Sequence, residues 1–301
     1  MPPKSPLARC EASPLGHSLA PCVPRDTASH IGAGSLANIG GLPIFLPSFL
    51  LFTKNMNDLN NKVAIITGSS RGIGRAIATR LAKDGAAVVI NYSHSADKAD
   101  AAVREIEQAG GKAVAIQANV SKVTDLERLF ADTIDKLGKV DILVNCAGVV
   151  VYKPIVEVTE ADFDKIMAVN VKGTYFSCQQ AAKHMADGGR IINISSTTTA
   201  LMLPTYSAYV ATKGAVEQIS RVLCKEVGDR GITVNIVSPG PTDTPLFRKG
   251  KTEEQIEHFG DMAALGRIGQ VEDIADAIAF LCGNDARWIT GQNIRVNGGL
   301  A

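Results

Sequence analysis

Val63-Ala-Ile-Ile-Thr67-Gly68-Ser-Ser-Arg71-Gly72-Ile-Gly74 is the stretch on which the fold turns. An apolar, β-branched run of this kind reads as a buried strand. It ends in a glycine-rich turn, and Arg75 to Lys83 then reads as a helix. Strand, glycine turn and helix N-terminus together bring backbone N–H groups and a helix dipole against a pyrophosphate. The spacing is G-x-x-x-G-x-G, a variant of the commoner G-x-G-x-x-G. Outward from this unit, strand and helix patterns alternate with short connections. Further strands are expected at 86–91, 112–117, 140–145, 190–195, 233–237 and 292–296. Helices are expected at 96–109, 123–137, 160–186, up to about Val227, and 271–281, while 241–266 has no clear period and reads as a mobile flap. Such alternation predicts an α/β fold: one doubly wound, seven-stranded parallel sheet with helices on both faces, in a single domain. No internal repeat or low-complexity tract interrupts it.

The second informative stretch is Tyr209-Val-Ala-Thr-Lys213, with Ser196 thirteen positions before the tyrosine. A phenol and an ammonium four residues apart on a helix project from one face. A tyrosine hydroxyl titrates near ~10, too high for easy proton traffic at neutral pH. A nearby cation favours the phenolate, so Lys213 is expected to pull Tyr209 down toward the range of general acid/base work. Ser196 can then hydrogen-bond the substrate oxygen. Alone, Tyr-x-x-x-Lys is a weak signal, because solvated helix faces carry such pairs constantly. Its weight comes from the glycine loop far upstream.

Taken together, Thr67-Gly68-x-x-x-Gly72-x-Gly74, Asn145-x-Ala147-Gly148, Ser196 with Tyr209-x-x-x-Lys213, and Pro239-Gly240 resemble the short-chain dehydrogenase/reductase family. The resemblance runs from about Lys62 to Gly299 with every motif in order, and implies a Rossmann-type fold. It implies that Asn170, Ser196, Tyr209 and Lys213 form the catalytic set, Asn170 holding a water that relays protons from the lysine. Of the adjacent serines, the spacing to Tyr209 selects Ser196 over Ser195, because strand alternation lets only one enter the site. Tyr206 is set aside, since Val210 stands where its lysine would be. The resemblance also implies cofactor contacts from Gly68, Ser70, Arg71, Gly72, Ile73 and Gly74, and from Tyr209 and Lys213. Asn119 and Val120 stand where the family has Asp-Val beside the adenine, and Asn119 retains an amide oxygen to accept from its exocyclic amine. Asn145, Ala147 and Gly148 match Asn-Asn-Ala-Gly except at Cys146, where a redox-sensitive thiol and a buried space-filling sulfur are the two readings. Pro239, Gly240, Thr242 and Thr244 are expected to hold the nicotinamide carboxamide.

The second strand bears on cofactor choice. NAD enzymes place a carboxylate near its end for the ribose 2′-hydroxyl. This chain has Asn91-Tyr92-Ser93 there, with nothing to repel a 2′-phosphate, and Arg71 in the loop to pair with one. In the family that arrangement implies NADPH over NADH.

At 301 residues, 46% apolar and 20% charged, the chain suffices for one large core. A net charge of +1 gives no reason to expect nucleic acid or a charged membrane as partner. The six cysteines are scattered and the five histidines unrelated in position, so neither a metal site nor a histidine triad is expected. Residues 1–57 differ in composition from the catalytic domain expected at 58–301 and read equally as an organellar transit peptide, a disordered tail or a misassigned start before Met56. The location implied is cytoplasmic, or plastid or mitochondrial if a transit peptide is present.

The function expected is NADPH-dependent reduction of a ketone or aldehyde, reversible as alcohol dehydrogenation. The alternatives are a catalytically silent NADP(H)-sensing regulator or, among enzymes, a 3-oxoacyl-[acyl-carrier-protein] reductase or a sugar or polyol dehydrogenase. The flap around Leu246-Phe-Arg-Lys249 would choose the substrate. Arg248, Lys249 and Lys251 either receive an acidic carrier surface or are solvated. A homodimer or homotetramer is implied by the resemblance.

Overall fold

The computed structural model describes residues 58–301, so the readings of 1–57 lie outside the described residues. Seven parallel strands make one sheet: β1 (Val63–Thr67), β2 (Ala87–Tyr92), β3 (Lys112–Gln117), β4 (Ile142–Asn145), β5 (Arg190–Ile194), β6 (Thr233–Pro239) and β7 (Asn293–Val296). Their order is β3-β2-β1-β4-β5-β6-β7. The helices are α1 (Gly72–Lys83), α2 (Ala96–Gln108), α3 (Val123–Leu137), α4 (Glu160–Ile166), α5 (Gly173–His184), α6 (Ser207–Glu226), α7 (Pro245–Arg248), α8 (Glu253–Asp261) and α9 (Val271–Cys282).

Side-chain alternation along the strands builds two cores. Ala64 and Ile66, Val88 and Ile90, and Ile142 and Val144 face α1, α2 and α9, where Ile77, Leu81, Ile106 and Ile278 meet them. Ile65, Val89, Leu143 and Ile191 face the other way, toward Leu126, Phe130, Ala181 and Leu223 of α3, α5 and α6. Every residue of β1 is buried. Strands covered on both faces need continuous apolar runs, and the sequence supplies them.

The strand order reverses between β1 and β4, which opens a crevice at their C-terminal ends. The loops that follow them touch there. A Cβ on Gly68 would stand 2.8 Å from Ala147 Cα, and Gly68 itself has φ +67°. Thr67 joins the same two loops, its hydroxyl accepting from the N–H groups of Cys146 (3.0 Å) and Ala147 (3.1 Å).

Three elements depart from the sequence reading. Helix α1 begins at Gly72 rather than Arg75, so Gly72-Ile73-Gly74 forms its first turn. The long helix expected at 160–186 ends at His184 and is interrupted by a π-helical turn at Met167–Lys172. Its cause is Asn170: Oδ1 accepts from Val149 N–H (2.9 Å), and Nδ2 donates to Val149 O (2.9 Å) and Thr212 Oγ1 (3.1 Å). Drawing that side chain outward widens the helix locally. The flap contains α7 and α8. Thr244 caps α7 ahead of Pro245, and Thr252 with Gln255 forms a capping box on α8. Threonine before proline, and threonine three before glutamine, are sequence signals for helix starts, stronger here than the weak apolar period.

Candidate active site

The first turn of α1 lies at the crevice. Arg71 is its N-cap and supplies no side-chain cap, and no acidic residue stands in that turn. The leading N–H groups of a helix have no intrahelical acceptor, so they and the dipole are open to an anion. Glycine is needed for close packing here: a Cβ on Gly74 would sit 2.7 Å from Gly68 O. Thr244 Cγ2 lies 3.7 Å from the Cβ position of Gly72, so the loop after β6 faces the glycine loop across the crevice. Arg71 is exposed, and its guanidinium has no carboxylate partner among the described residues. Ser70 is buried in the loop and Ile73 half-buried in the first turn.

Asn91 is placed differently from the expectation that it meets the cofactor ribose. It is 1% exposed, its Oδ1 accepting from Gly68 N–H (3.2 Å) and its Nδ2 donating to Ile116 O and Ala118 O. It braces the glycine loop from beneath and leaves half-buried Tyr92 and Ser93 at the strand's open end. Asn119 Oδ1 already accepts from the N–H (3.1 Å) and hydroxyl (2.9 Å) of Ser121, contrary to the adenine-facing acceptor expected. Val120 is buried against Gly173. The Asn145 side chain is likewise engaged inside, donating to Asn193 Oδ1 (2.8 Å) and accepting from Ser177 Oγ (2.5 Å). Sequence suggests all three asparagines as ligand contacts because it cannot show which polar groups close on one another within the fold.

Helix α6 carries Tyr209 and Lys213 into the same crevice. Lys213 is 6% exposed, and its Nζ donates to Ile194 O at 2.8 Å and lies 5.5 Å from the Tyr209 ring centroid. No carboxylate pairs with it among the described residues. Burial pushes its pKa down to about 8, the Cys146 thiol opposing. Tyr209 goes the other way. Burial of its hydroxyl pushes the phenol up to about 12, Ser196 opposing and Tyr206 and Cys146 adding to the rise. The expectation that Lys213 pulls Tyr209 down is therefore not met in the free protein. Desolvation sets the direction, and the ammonium lies over the ring face without reversing it. The consequence suits donation, because the phenol stays protonated at neutral pH.

Asn170 and Lys213 meet across Gly148. A Cβ built there would stand 3.5 Å from Asn170 Oδ1 and 3.8 Å from Lys213 Nζ. An ammonium has three donors, and among the described residues one is taken. The remaining donors suit vicinal hydroxyls, as of a ribose. Open helix-terminal N–H groups, an exposed arginine and this buried ammonium all belong to elements that border the crevice. Burial raises Cys146 to about 11 despite Lys213, so this half-buried residue holds its thiol proton at neutral pH. Thr242 and Thr244 are buried, their hydroxyls donating to Gly240 O (2.9 Å) and Thr242 O (3.3 Å), and a Cβ on Gly240 would stand 2.8 Å from Asn297 Cα. Pro239 ends β6. Among the described residues no group of three metal-ligating side chains occurs, and no helix is long and apolar enough to cross a membrane.

Sequence reasoning missed an aromatic wall beside Tyr209. Tyr206 packs edge-on at 6.3 Å between ring centroids, and Tyr152 packs on Tyr206 at 5.0 Å. Lys251 Nζ lies 4.7 Å from the Tyr152 ring centroid and 4.8 Å from that of Phe247, tying the flap to this wall. The i, i+3 spacing of Tyr206 and Tyr209 was the available signal. Arg248 is held by Asp243 and Glu253, and Lys251 Nζ donates to Phe247 O, so two of the three flap cations, for which a carrier surface and a solvated loop are the two readings, are engaged within the chain.

Residues 68–301 match the family described as enoyl-(acyl carrier protein) reductase. An uncharacterized oxidoreductase of Methylorubrum extorquens is 47% identical over 247 residues, covering 81% of this chain and 100% of that protein. Elsinochrome reductase 1 of Elsinoe fawcettii is 40% identical over 252 residues, covering 80% and 94%. The crystal structure of an angucycline C-6 ketoreductase with bound NADP has a TM-score of 0.77 at 41% identity, covering 81% and 97%.

Proposed function

The chain belongs to the short-chain dehydrogenase/reductase family and is an oxidoreductase acting on CH–OH or C=O groups, and from that premise we propose that it is an NADPH-dependent ketone reductase with Tyr209 as general acid. The observation that carries this reading is the convergence of Ser196, Tyr209, Lys213 and Asn170 at the crevice that begins with the glycine loop. A bound nicotinamide supplies the hydride. Tyr209 holds the proton that goes to the carbonyl oxygen, and its raised pKa keeps that proton in place until alkoxide charge develops. Ser196 donates to the same oxygen. Lys213 holds the nicotinamide ribose, and Asn170 fixes the loop at Val149 beside it. Holding reactants in line and stabilising oxyanion charge provide most of the rate.

Arg71, with Tyr92 and Ser93, supports the 2′-phosphate and therefore NADPH; the ketoreductase relative carries NADP. Gly68, Ser70, Gly72, Ile73 and Gly74 receive the pyrophosphate, and Pro239, Gly240, Thr242 and Thr244 the carboxamide. Asn91, Asn119, Val120 and Asn145 act as braces beneath the cofactor. The Tyr152–Tyr206 wall favours a planar, aromatic ketone, a reading to which the name of the angucycline ketoreductase lends support. A homodimer or homotetramer is the proposed assembly, which light scattering tests.

The deciding experiment is Tyr209→Phe, assayed for NADPH oxidation against polycyclic aromatic ketones, diacetyl and a 3-oxoacyl thioester. Turnover is expected to vanish while NADPH binding, followed by fluorescence, is kept. A variant retaining most of its kcat would refute the assignment.

A further inference from the structure

Ser195-Ser-Thr-Thr-Thr199 is a run of five consecutive hydroxyl residues at the end of β5. The hydroxyls flanking Ser196 converge on one acceptor. Ser195 Oγ donates to Glu217 Oε1 at 2.7 Å, and Thr199 Oγ1 donates to the same oxygen at 2.8 Å. Thr199 Oγ1 also lies 3.0 Å from Ser196 O, the alternative acceptor for its single proton, and Thr197 Oγ1 anchors the turn to Ser238 O at 3.2 Å. An ionised carboxylate only accepts, so both hydroxyls on Glu217 must point inward as donors, and such charge-assisted bonds are stronger than neutral ones. Among the described residues no lysine, arginine or histidine forms an ion pair with Glu217. Its oxygen is reserved for the turn.

Glu217 stands one helical step beyond Lys213 and two beyond Tyr209 on α6, so the three share a stripe of that helix. The Ser196 hydroxyl meanwhile accepts from Thr198 N–H (3.2 Å) and from the Thr198 hydroxyl (2.9 Å). With both lone pairs occupied, its own proton is left for a third partner. We propose that Glu217 is a positioning residue for Ser196: its carboxylate pins the 195–199 turn to the helix bearing Tyr209 and Lys213, so that the Ser196 proton points to the Tyr209 oxygen in the free protein and is in place to turn to the substrate oxygen when one is bound. The catalytic consequence rests on the reductase reading above; the coupling of Glu217 to Tyr209 through Ser196 does not.

Two measurements test it. In steady state, Glu217→Ala lowers kcat by up to about 100-fold, the scale of a misplaced catalytic contact. KM and NADPH affinity stay near wild type, and Glu217→Gln, whose amide oxygen still accepts, recovers most of the loss. A fall in NADPH affinity and melting temperature parallel to kcat would overturn the proposal in favour of general structural damage. The second measurement needs neither turnover nor cofactor. Fluorotyrosine at position 209 reports the phenol titration by 19F NMR, in surroundings set by Ser196, Tyr206, Cys146 and Lys213. Glu217→Ala and Ser196→Ala each raise its midpoint, and the double variant raises it no further than Ser196→Ala alone. A midpoint that Glu217→Ala leaves unmoved, whether or not Ser196→Ala moves it, overturns the proposal. If the wild type reduced no carbonyl compound, the reductase reading would fall and the 19F cycle would still decide the role of Glu217.

Discussion

Replacing Lys213 with methionine removes the charge while keeping the length of the side chain. Burial lowers the Lys213 pKa from 10.5 to about 8. At 1.36 kcal/mol per unit, carrying that proton into the fold costs about 3 kcal/mol at pH 7, where the lysine is charged in both states. Loss of the hydrogen bond to Ile194 O returns about 1 kcal/mol of that gain. Lys213→Met should therefore stabilise the protein by about 2 kcal/mol, roughly 4–8 °C in Tm for a domain of this size. The sign also fixes a pH dependence. Between pH 8 and 10.5 the unfolded chain holds a proton on Lys213 that the folded chain has released, so folding regains stability as pH rises through that window. The advantage of the variant over wild type should shrink there. Taking the difference between the two proteins cancels the titrations of groups that do not feel Lys213, and Cys146, which does, titrates near 11, above the window. Calorimetry at pH 7 and in steps to pH 10 measures this, alongside NADPH oxidation and NADPH binding. Activity should be lost and NADPH affinity weakened while Tm rises. A Tm that falls, or an advantage that grows with pH, would refute the account of Lys213 as a destabilising group retained for its chemistry.

Other substitutions test separate parts of the site. Gly68→Ala places a side chain at φ +67° and 2.8 Å from Ala147 Cα, so a loss of about 2–4 kcal/mol is expected in thermal unfolding, with NADPH affinity falling as the loop shifts. Arg71→Ala removes the proposed phosphate contact; kcat/KM for NADPH should drop about 10–100-fold with NADH little changed, and an unaltered cofactor ratio would remove Arg71 from that role. Cys146, raised to about 11, should react with iodoacetamide about 100-fold more slowly than an ordinary thiol, followed by mass spectrometry of its peptide. Rapid labelling there would restore the redox reading.

The sheet, the glycine loop and the Tyr209–Lys213 pair are legible without coordinates. Those features are written in local terms: β-branched runs, glycines at fixed spacing, and four-residue steps on a helix. The sequence also held signals that apolar periodicity hid, namely the Thr244–Pro245 start and the Thr252–Gln255 capping box of the flap helices. How polar groups far apart in the chain satisfy one another emerges only when the chain is packed. Asn91 closes under Gly68, Asn145 on Asn193 and Ser177, and Asn170 on Val149 and Thr212. A side-chain amide looks the same in sequence whether it meets a cofactor or a buried backbone group. The same holds for charge. Sequence places a cation near Tyr209, but the direction in which the phenol shifts depends on the balance between desolvation and that charge, and burial exists only once both faces of the sheet are covered.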